Sequence, residues 1–295
     1  MLSLFDIART AFLRGNVRAA YELFSRHVQI VPDDSQAWFY LGVVGQRLEQ
    51  FEVARKAFER VLLLSPENID AIAALSSVKV SLGDMAGAIQ LCKAAIAISP
   101  GDPNTHANLG VVLEANGNPT QALESYDTAL QSEPGHLQAL LNRGNLLAKL
   151  GEFDAAIACN RSLVDYHPEH IGGWLNLGHA CLQVGMYAEA HQAFQQITDR
   201  ISEHGDALIL DSLALSMSGN TEAASNRFDL VRRRAPKVLE RYEANLFLHP
   251  RGAERIELAA LEIVHLYERH LRCDWGSYAR LKHWFAESIE RYPSS

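Results

Sequence analysis

The chain has 295 residues, of which 48% are hydrophobic and 21% charged, and its net charge is −8. These values are ordinary for a globular protein, and the acidic balance argues against a general nucleic-acid binder, which needs a basic surface. No apolar run is long enough to span a bilayer, and the first residues do not resemble a signal peptide. The four cysteines are far apart and form no CxxC pair, so we expect neither disulfides nor a zinc site. A reducing, cytoplasmic location fits best.

Three kinds of residue recur at intervals of 34 residues along most of the chain. They are the prolines Pro32, Pro66, Pro100, Pro134, Pro168 and Pro236, the alanines Ala20, Ala54, Ala88, Ala122, Ala156, Ala190 and Ala224, and the glycines Gly15, Gly83, Gly117, Gly151, Gly185 and Gly219. Two positions break the pattern, because Glu49 replaces a glycine and Ser202 replaces a proline. The period predicts seven repeats: 1–34, 35–68, 69–102, 103–136, 137–170, 171–204 and 205–238.

Each repeat has the pattern of two amphipathic helices, A and B, joined by a turn. The glycine at position 15 allows the left-handed conformation that ends helix A, and the proline at position 32 ends helix B. Small residues at positions 8 and 20 let the two helices approach closely. One hairpin cannot bury its own apolar face, but a stack of hairpins forms a continuous core. The sequence therefore predicts an all-α solenoid.

This pattern resembles the tetratricopeptide repeat. The best copies are "WFYLG" at 38–42, with Ala54 and Phe58, and "WLNLG" at 174–178, with Ala190 and Phe194. The resemblance implies a right-handed superhelix whose A helices line a concave groove.

Asparagine occupies position 6 of three successive A helices, at Asn108, Asn142 and Asn176. Positions 2, 5, 6 and 9 are expected to face the groove. An asparagine amide both donates and accepts hydrogen bonds, so it can pair with a peptide unit whatever the side chain there. Packed helices lie about 10 Å apart and an extended chain advances about 3.3 Å per residue, so this ladder could hold every third residue of a ligand. The alternative is that these are only solvated polar residues, although asparagine is a weak helix former.

The rest of the predicted groove is mixed in character. It comprises the polar Asn145 and His179, the aromatic Phe39 and Tyr40, and the apolar Ile209, Leu210 and Leu213. Such a surface suits peptide recognition better than a small metabolite. We therefore predict that the chain binds a protein or peptide in an extended conformation.

Some tetratricopeptide domains grip the C-terminal carboxylate of chaperones with lysine, arginine and asparagine side chains. Asn145 and Asn176 fit two places of that clamp. Leu141, Asp206 and Leu210 occupy the places of its cationic residues and cannot pair with a carboxylate. We therefore reject a chaperone clamp.

The sequence contains no phosphate-binding loop, nucleophile elbow or zinc-protease motif. His265 and His270 lie near Cys273 and His283, but the two histidines are five residues apart, whereas helical ligand pairs are three or four apart. The stretch "HPEH" at 167–170 predicts a surface loop. We expect no catalytic residue, no metal and no cofactor.

Residues 239–295 are predicted to form a helical cap or linker, with one helix over 253–272 and another beginning near Asp274. The segment with Cys273, Asp274, Trp275 and Tyr278 is similar to the linker that follows the repeats of O-GlcNAc transferase-like glycosyltransferases. That resemblance implies a recognition region for an enzyme that moves N-acetylglucosamine from a UDP-sugar to protein Ser or Thr. About twenty residues follow Cys273, so we expect no enzyme activity from this chain.

The first predicted helix begins at the N-terminus, where Leu2, Leu4 and Phe5 would leave an apolar edge uncovered. A homo-oligomer that forms through this edge is a further alternative, in which the chain is a self-assembling scaffold.

Overall fold

The computed structural model describes residues 3–235 and 237–238 and confirms the all-α class over that part of the chain. Fourteen helices and no strand lie within residues 3–235. They are α1 Leu4–Leu13, α2 Val17–Ile30, α3 Ser35–Arg47, α4 Phe51–Leu64, α5 Ile69–Ser81, α6 Met85–Ile98, α7 Pro103–Ala115, α8 Pro119–Ser132, α9 Leu137–Lys149, α10 Phe153–Tyr166, α11 Ile171–Gln183, α12 Tyr187–Arg200, α13 Gly205–Met217 and α14 Thr221–Arg234. Among these helices, none is long and apolar enough to cross a membrane. The predicted cap over 239–295 lies outside the described residues.

The chain divides into two compact units between Leu146 and Leu147. In the first unit, four helix hairpins (α1/α2, α3/α4, α5/α6 and α7/α8) follow one another, and the B helices α2, α4 and α6 also contact the next A helix. Successive A helices α1, α3, α5 and α7 touch, so they form one surface, the A-helix face of the first unit. In the second unit, α11/α12 and α13/α14 are the hairpins, and α11 touches α13.

The glycine at position 15 has the predicted role. All six glycines at this position have positive φ, from 75° to 85°, and each follows an A helix. Glu49, which replaces the glycine in the second repeat, takes the same conformation with φ 58°. The turn therefore forces a left-handed residue even where the side chain disfavours it.

The small residue at position 8 accommodates both the backbone of helix B and the side chain at position 24. A Cβ on Gly42 would lie 2.6 Å from the ring of Phe58, and a Cβ on Gly178 would overlap the ring of Phe194. Where position 8 is Ser76, its hydroxyl donates to the carbonyl of Ala88, at position 20, over 3.3 Å. Helices A and B thus interlock through positions 8, 20 and 24.

The fifth repeat departs from this packing. Position 24 holds a buried aromatic ring in five repeats, at Phe24, Phe58, Tyr126, Phe194 and Phe228, whereas the fifth repeat has Asn160 there. Asn160 is 1% exposed, and within the described residues neither its Oδ1 nor its Nδ2 has a hydrogen-bond partner. An unpaired buried amide costs roughly 1–3 kcal/mol, so Asn160 weakens the packing of α10.

Candidate functional site

Asn108 and Asn142 lie half-buried at equivalent positions in α7 and α9. The described residues provide no hydrogen-bond partner for the side-chain amide of either one. Both amides therefore keep a donor and an acceptor that another chain could use.

The other predicted polar residues of the groove are also half-buried, but they are already engaged. Asn145 and Asn176 each interact with another group of the protein. The ring of His179 meets that of Phe194 edge-on, with centroids 6.4 Å apart. Within this set, Asn108 and Asn142 have the most unused hydrogen-bonding capacity.

Phe39 and Tyr40 line a cavity of about 560 Å³ in the first unit, on the A-helix face. Phe12 of α1 and Val43 of α3 complete its apolar wall. The rings are fixed from behind, because Tyr40 stacks on Phe24 with centroids 5.3 Å apart and Phe39 meets Phe58 at 5.6 Å. The cavity brings together the two aromatic residues predicted from the sequence, but Asn108 and Asn142 are not part of its lining.

One end of this cavity is polar. Ser35 and Gln36, in the first turn of α3, line it together with Asn68 and Asp70 at the start of α5. Asn68 caps α5 by accepting a hydrogen bond from the amide of Ala71 over 2.9 Å. Asp70 is exposed, and no group in the described part of the chain pairs with its carboxylate. The cavity thus combines aromatic walls with a free negative charge.

Sequence analysis missed the contributions of Phe12, Asn68 and Asp70 to this cavity. A signal for the last was present, because Gln36 and Asp70 both stand at position 2, which was expected to face the groove. Asn68 was harder to recognise, since it is the last residue of its repeat and its function as a helix cap hides its position on the cavity.

The prediction that Ile209, Leu210 and Leu213 form an apolar end of the groove is wrong. Ile209, Leu210 and Leu213 are only 3%, 1% and 4% exposed, so they belong to the core. The physical reason is that the apolar residues of α13 occur on every side of the helix and not on one face, and such a helix is buried on all sides.

A buried charge cluster fixes α13 between its neighbours in the second unit. The carboxylate of Asp211 is fully buried, hydrogen-bonds Nδ1 of His191 on α12, and has Nε of Arg227 on α14 2.7 Å from its Oδ2. The Arg227 contact lacks hydrogen-bond geometry, so it is an ion pair. Burial raises the pKa of Asp211 above its usual value, although His191 and Arg227 lower it.

Histidines cap three A helices, a feature that the sequence analysis did not recognise. The side chains of His136, His170 and His204, 34 residues apart, each accept a hydrogen bond from the backbone N–H three residues later, at the start of α9, α11 and α13. Their spacing was a visible signal. The stretch 167–170 therefore includes the cap of α11 as well as a turn.

The described cysteines are core residues. Cys92, Cys159 and Cys181 are buried and form no disulfide within the described residues, and burial raises the pKa of the Cys181 thiol to about 11. Within the described residues there is no group of three or more His, Cys, Asp or Glu that could hold a metal ion. Cys273 and the residues around it lie outside that part of the chain.

Two family models match the chain. A tetratricopeptide repeat model matches residues 108–171 and 141–204, and the model of the CABIN1 N-terminal domain matches residues 2–116. A curated relative, the Protein CTR9 homolog of Arabidopsis thaliana, is 33% identical over 86 residues. That match spans 29% of this chain and only 8% of the length of the relative.

Solved structures with a similar fold include PilW, described as a type IV pilus biogenesis factor, with a TM-score of 0.56, 20% identity and coverage of 78% of this chain and 97% of that one. Pseudomonas aeruginosa pilF has a TM-score of 0.56 and 17% identity over 68% of this chain and 92% of its own. The protein TTC0263 of Thermus thermophilus, described as a tetratricopeptide repeat protein, has a TM-score of 0.50 and 23% identity. The match covers 61% of this chain and 98% of that one. These likenesses concern the fold, and the family match shows tetratricopeptide repeats over residues 108–204 of the chain.

Proposed function

We propose that this tetratricopeptide repeat scaffold binds an extended segment of another protein, using Asn108, Asn142 and Asn176 to pair with its peptide groups. The repeat scaffold itself is one for protein–protein interaction. The binding is non-catalytic, and the cytoplasm, where thiols stay reduced, is the proposed location because the three described cysteines form no disulfide.

The observation that supports this proposal most is the state of Asn108 and Asn142. Each amide is half-buried and unpaired within the described residues, although asparagine favours neither the middle of a helix nor partial burial without a partner. A bound backbone offers one N–H and one C=O per residue, which matches the donor and acceptor of each amide. Recognition through backbone groups would tolerate many ligand sequences.

The variant with Asn108, Asn142 and Asn176 all changed to Ala tests the proposal. We expect it to stay folded, because alanine is the better helix former, and to lose the partners that the parent captures from a native lysate. Asn226→Ala is the matched control, since Asn226 is an exposed asparagine of helix α14. Equal capture by the triple variant and the control would contradict the proposal.

A second candidate is the substrate-recognition region of an O-GlcNAc transferase-like glycosyltransferase. The sequence Cys273-Asp274-Trp275, followed by Tyr278, favours it. A reading frame that continues beyond Ser295 into a nucleotide-sugar-binding region would support this candidate. Continuation into an unrelated region would contradict it.

Self-assembly is a third candidate, for which the outer surface of α1 is the relevant observation. Ile7 and Leu13 are 44% and 72% exposed there, whereas Phe5 packs inward against Phe24 and Tyr40. Light scattering over a concentration series tests this candidate, and a strict monomer at all concentrations would contradict it.

A further inference from the structure

We propose that the cavity between α1, α3 and α5 selects ligands that carry an aromatic or branched aliphatic side chain next to a lysine or arginine. This inference rests on the proposed function, because it names the class of segment that the A-helix face of the first unit would bind. The aromatic wall, the volume of the cavity and its free carboxylate carry the inference.

The walls favour an apolar anchor. Phe12, Phe39, Tyr40 and Val43 present an apolar surface that is only partly buried by the protein itself. The volume of about 560 Å³ lies within the range of about 300–1,000 Å³ typical of ligand sites. Covering such a surface with an apolar side chain is favourable because it removes apolar area from water, and anchors of this kind contribute most of the affinity in peptide interfaces.

The rings hold their positions before any ligand arrives. Tyr40 lies against Phe5, Phe12 and Phe24, with ring centroids 5.3–5.9 Å apart. Rings fixed in this way lose little further freedom on binding, so more of the contact energy remains as affinity.

The charge at the polar end selects a cation beside the anchor. Asp70 is the one charged residue among those that line the described cavity, and its carboxylate is exposed and unpaired within the described residues. The start of α5 stabilises that negative charge. At the opposite end of α3, the guanidinium of Arg47 already covers the ring of Phe12, 4.4 Å from its centroid, and it would repel a second cation there. A basic residue is therefore favoured at the Asp70 end alone.

The experiment uses random twelve-residue peptides displayed on phage and selected on the immobilised full chain. We expect the enriched peptides to share an aromatic or branched aliphatic residue with a lysine or arginine within about three residues of it, the spacing that spans one extended stretch of roughly 10 Å. Enrichment without this pairing, or no enrichment at all, would overturn the inference.

Charge reversal then tests the carboxylate. Asp70→Lys should weaken binding of a selected synthetic peptide roughly tenfold at low salt, and changing the basic residue of the peptide to Glu should restore binding to this variant. Asp154→Lys is the control, since Asp154 is exposed and occupies the same second position of its helix, α10. Equal affinities of the two lysine variants would overturn the role of Asp70.

A filling variant tests the cavity without removing any core contact. Gln36→Trp places a large ring at the cavity from an exposed position and should abolish binding while the thermal unfolding temperature stays unchanged. If the triple asparagine variant loses the peptide but Gln36→Trp and Asp70→Lys keep it, the proposed function stands and the cavity inference falls. If the cavity variants lose it and the triple asparagine variant keeps it, the cavity inference stands and the asparagine proposal falls.

Discussion

At the scale of single residues, Glu49 shows how strongly the repeat imposes its turn. Five of the first six repeats place a glycine at this point, and Glu49 adopts the same left-handed conformation, with φ 58°, without any glycine. A left-handed residue with a side chain costs roughly 1–2 kcal/mol relative to a right-handed one. The second repeat therefore carries a penalty that its neighbours avoid.

We predict that Glu49→Gly stabilises the protein by about 0.5–1 kcal/mol, since the relief of strain exceeds the entropic cost of a glycine. The measurement is chemical denaturation. The matched control is Lys56→Gly, because Lys56 is also exposed but lies inside helix α4, where a glycine should only destabilise. A loss of stability in Glu49→Gly would show that the conformation is not strained.

Asp211 is the residue whose burial should be visible in the pH dependence of stability. Because burial raises its pKa in the folded state, the folded form holds the proton more tightly than the unfolded form, whose Asp pKa is about 3.9. The stabilisation from this tighter proton binding is therefore fully present below about pH 4 and is lost as the pH rises through the raised pKa of Asp211. Over that range the free energy of unfolding falls by at most about 1.4 kcal/mol per pH unit.

The variant Asp211→Asn should not show this loss of stability with rising pH. We expect the difference in free energy of unfolding, parent minus variant, to fall as the pH rises above about 4. Asp165→Asn, at an exposed position, should run parallel to the parent over the same range. A parent curve that rises relative to Asp211→Asn would mean that His191 and Arg227 outweigh the burial of the carboxylate.

At the scale of helices, the first residue before each A helix decides how that helix begins. Asp34, Asn68 and Asp102 cap α3, α5 and α7, whereas histidines cap α9, α11 and α13. The residue before each of these six helices thus caps the helix, with a carboxylate or an amide in three of them and an imidazole in the other three. An imidazole can accept this bond only through an unprotonated Nδ1.

We predict that His170→Ala destabilises the protein by about 1 kcal/mol, because the amide of Gly173 loses its side-chain partner and keeps only the carbonyl of His170, while His170→Asp retains the full stability. Thermal unfolding of the two variants side by side checks this. His167→Ala is the control, since His167 belongs to the same loop but caps no helix through its side chain. Equal losses in all three variants would show that the side chain of His170 does not hold the start of α11.

The hairpins were largely predictable from the sequence, because positions 8, 15, 20 and 24 each have a local physical requirement. The turn glycine needs positive φ and position 8 must leave room for a ring, as at Gly42 against Phe58. Those constraints repeat with the period, so their residues repeat too. The burial of α13 was less predictable, because the pattern marks the face of a helix that meets its partner but not what covers the opposite face, as Leu210 shows.

At the scale of the whole molecule, the repeat period predicted the fold class and the general task of the chain. The number of repeats, the handedness of a superhelix and the division into repeats and cap remain predictions. Only Phe39 and Tyr40 of this cavity were predicted from the sequence, because the cavity takes side chains from three A helices that are far apart in the sequence. A period describes what the repeats share, whereas Phe12 contributes to the cavity as the only phenylalanine at position 12 of the seven predicted repeats.

The asparagines at position 6 remain the central claim, and the most direct test is the affinity of one selected peptide, measured by calorimetry. Loss of the hydrogen bonds of Asn108 and Asn142, about 1 kcal/mol each, should weaken binding roughly 30-fold in the triple variant of Asn108, Asn142 and Asn176. Asn226→Ala should bind like the parent. A triple variant that is folded and binds the peptide as tightly as Asn226→Ala would contradict the account.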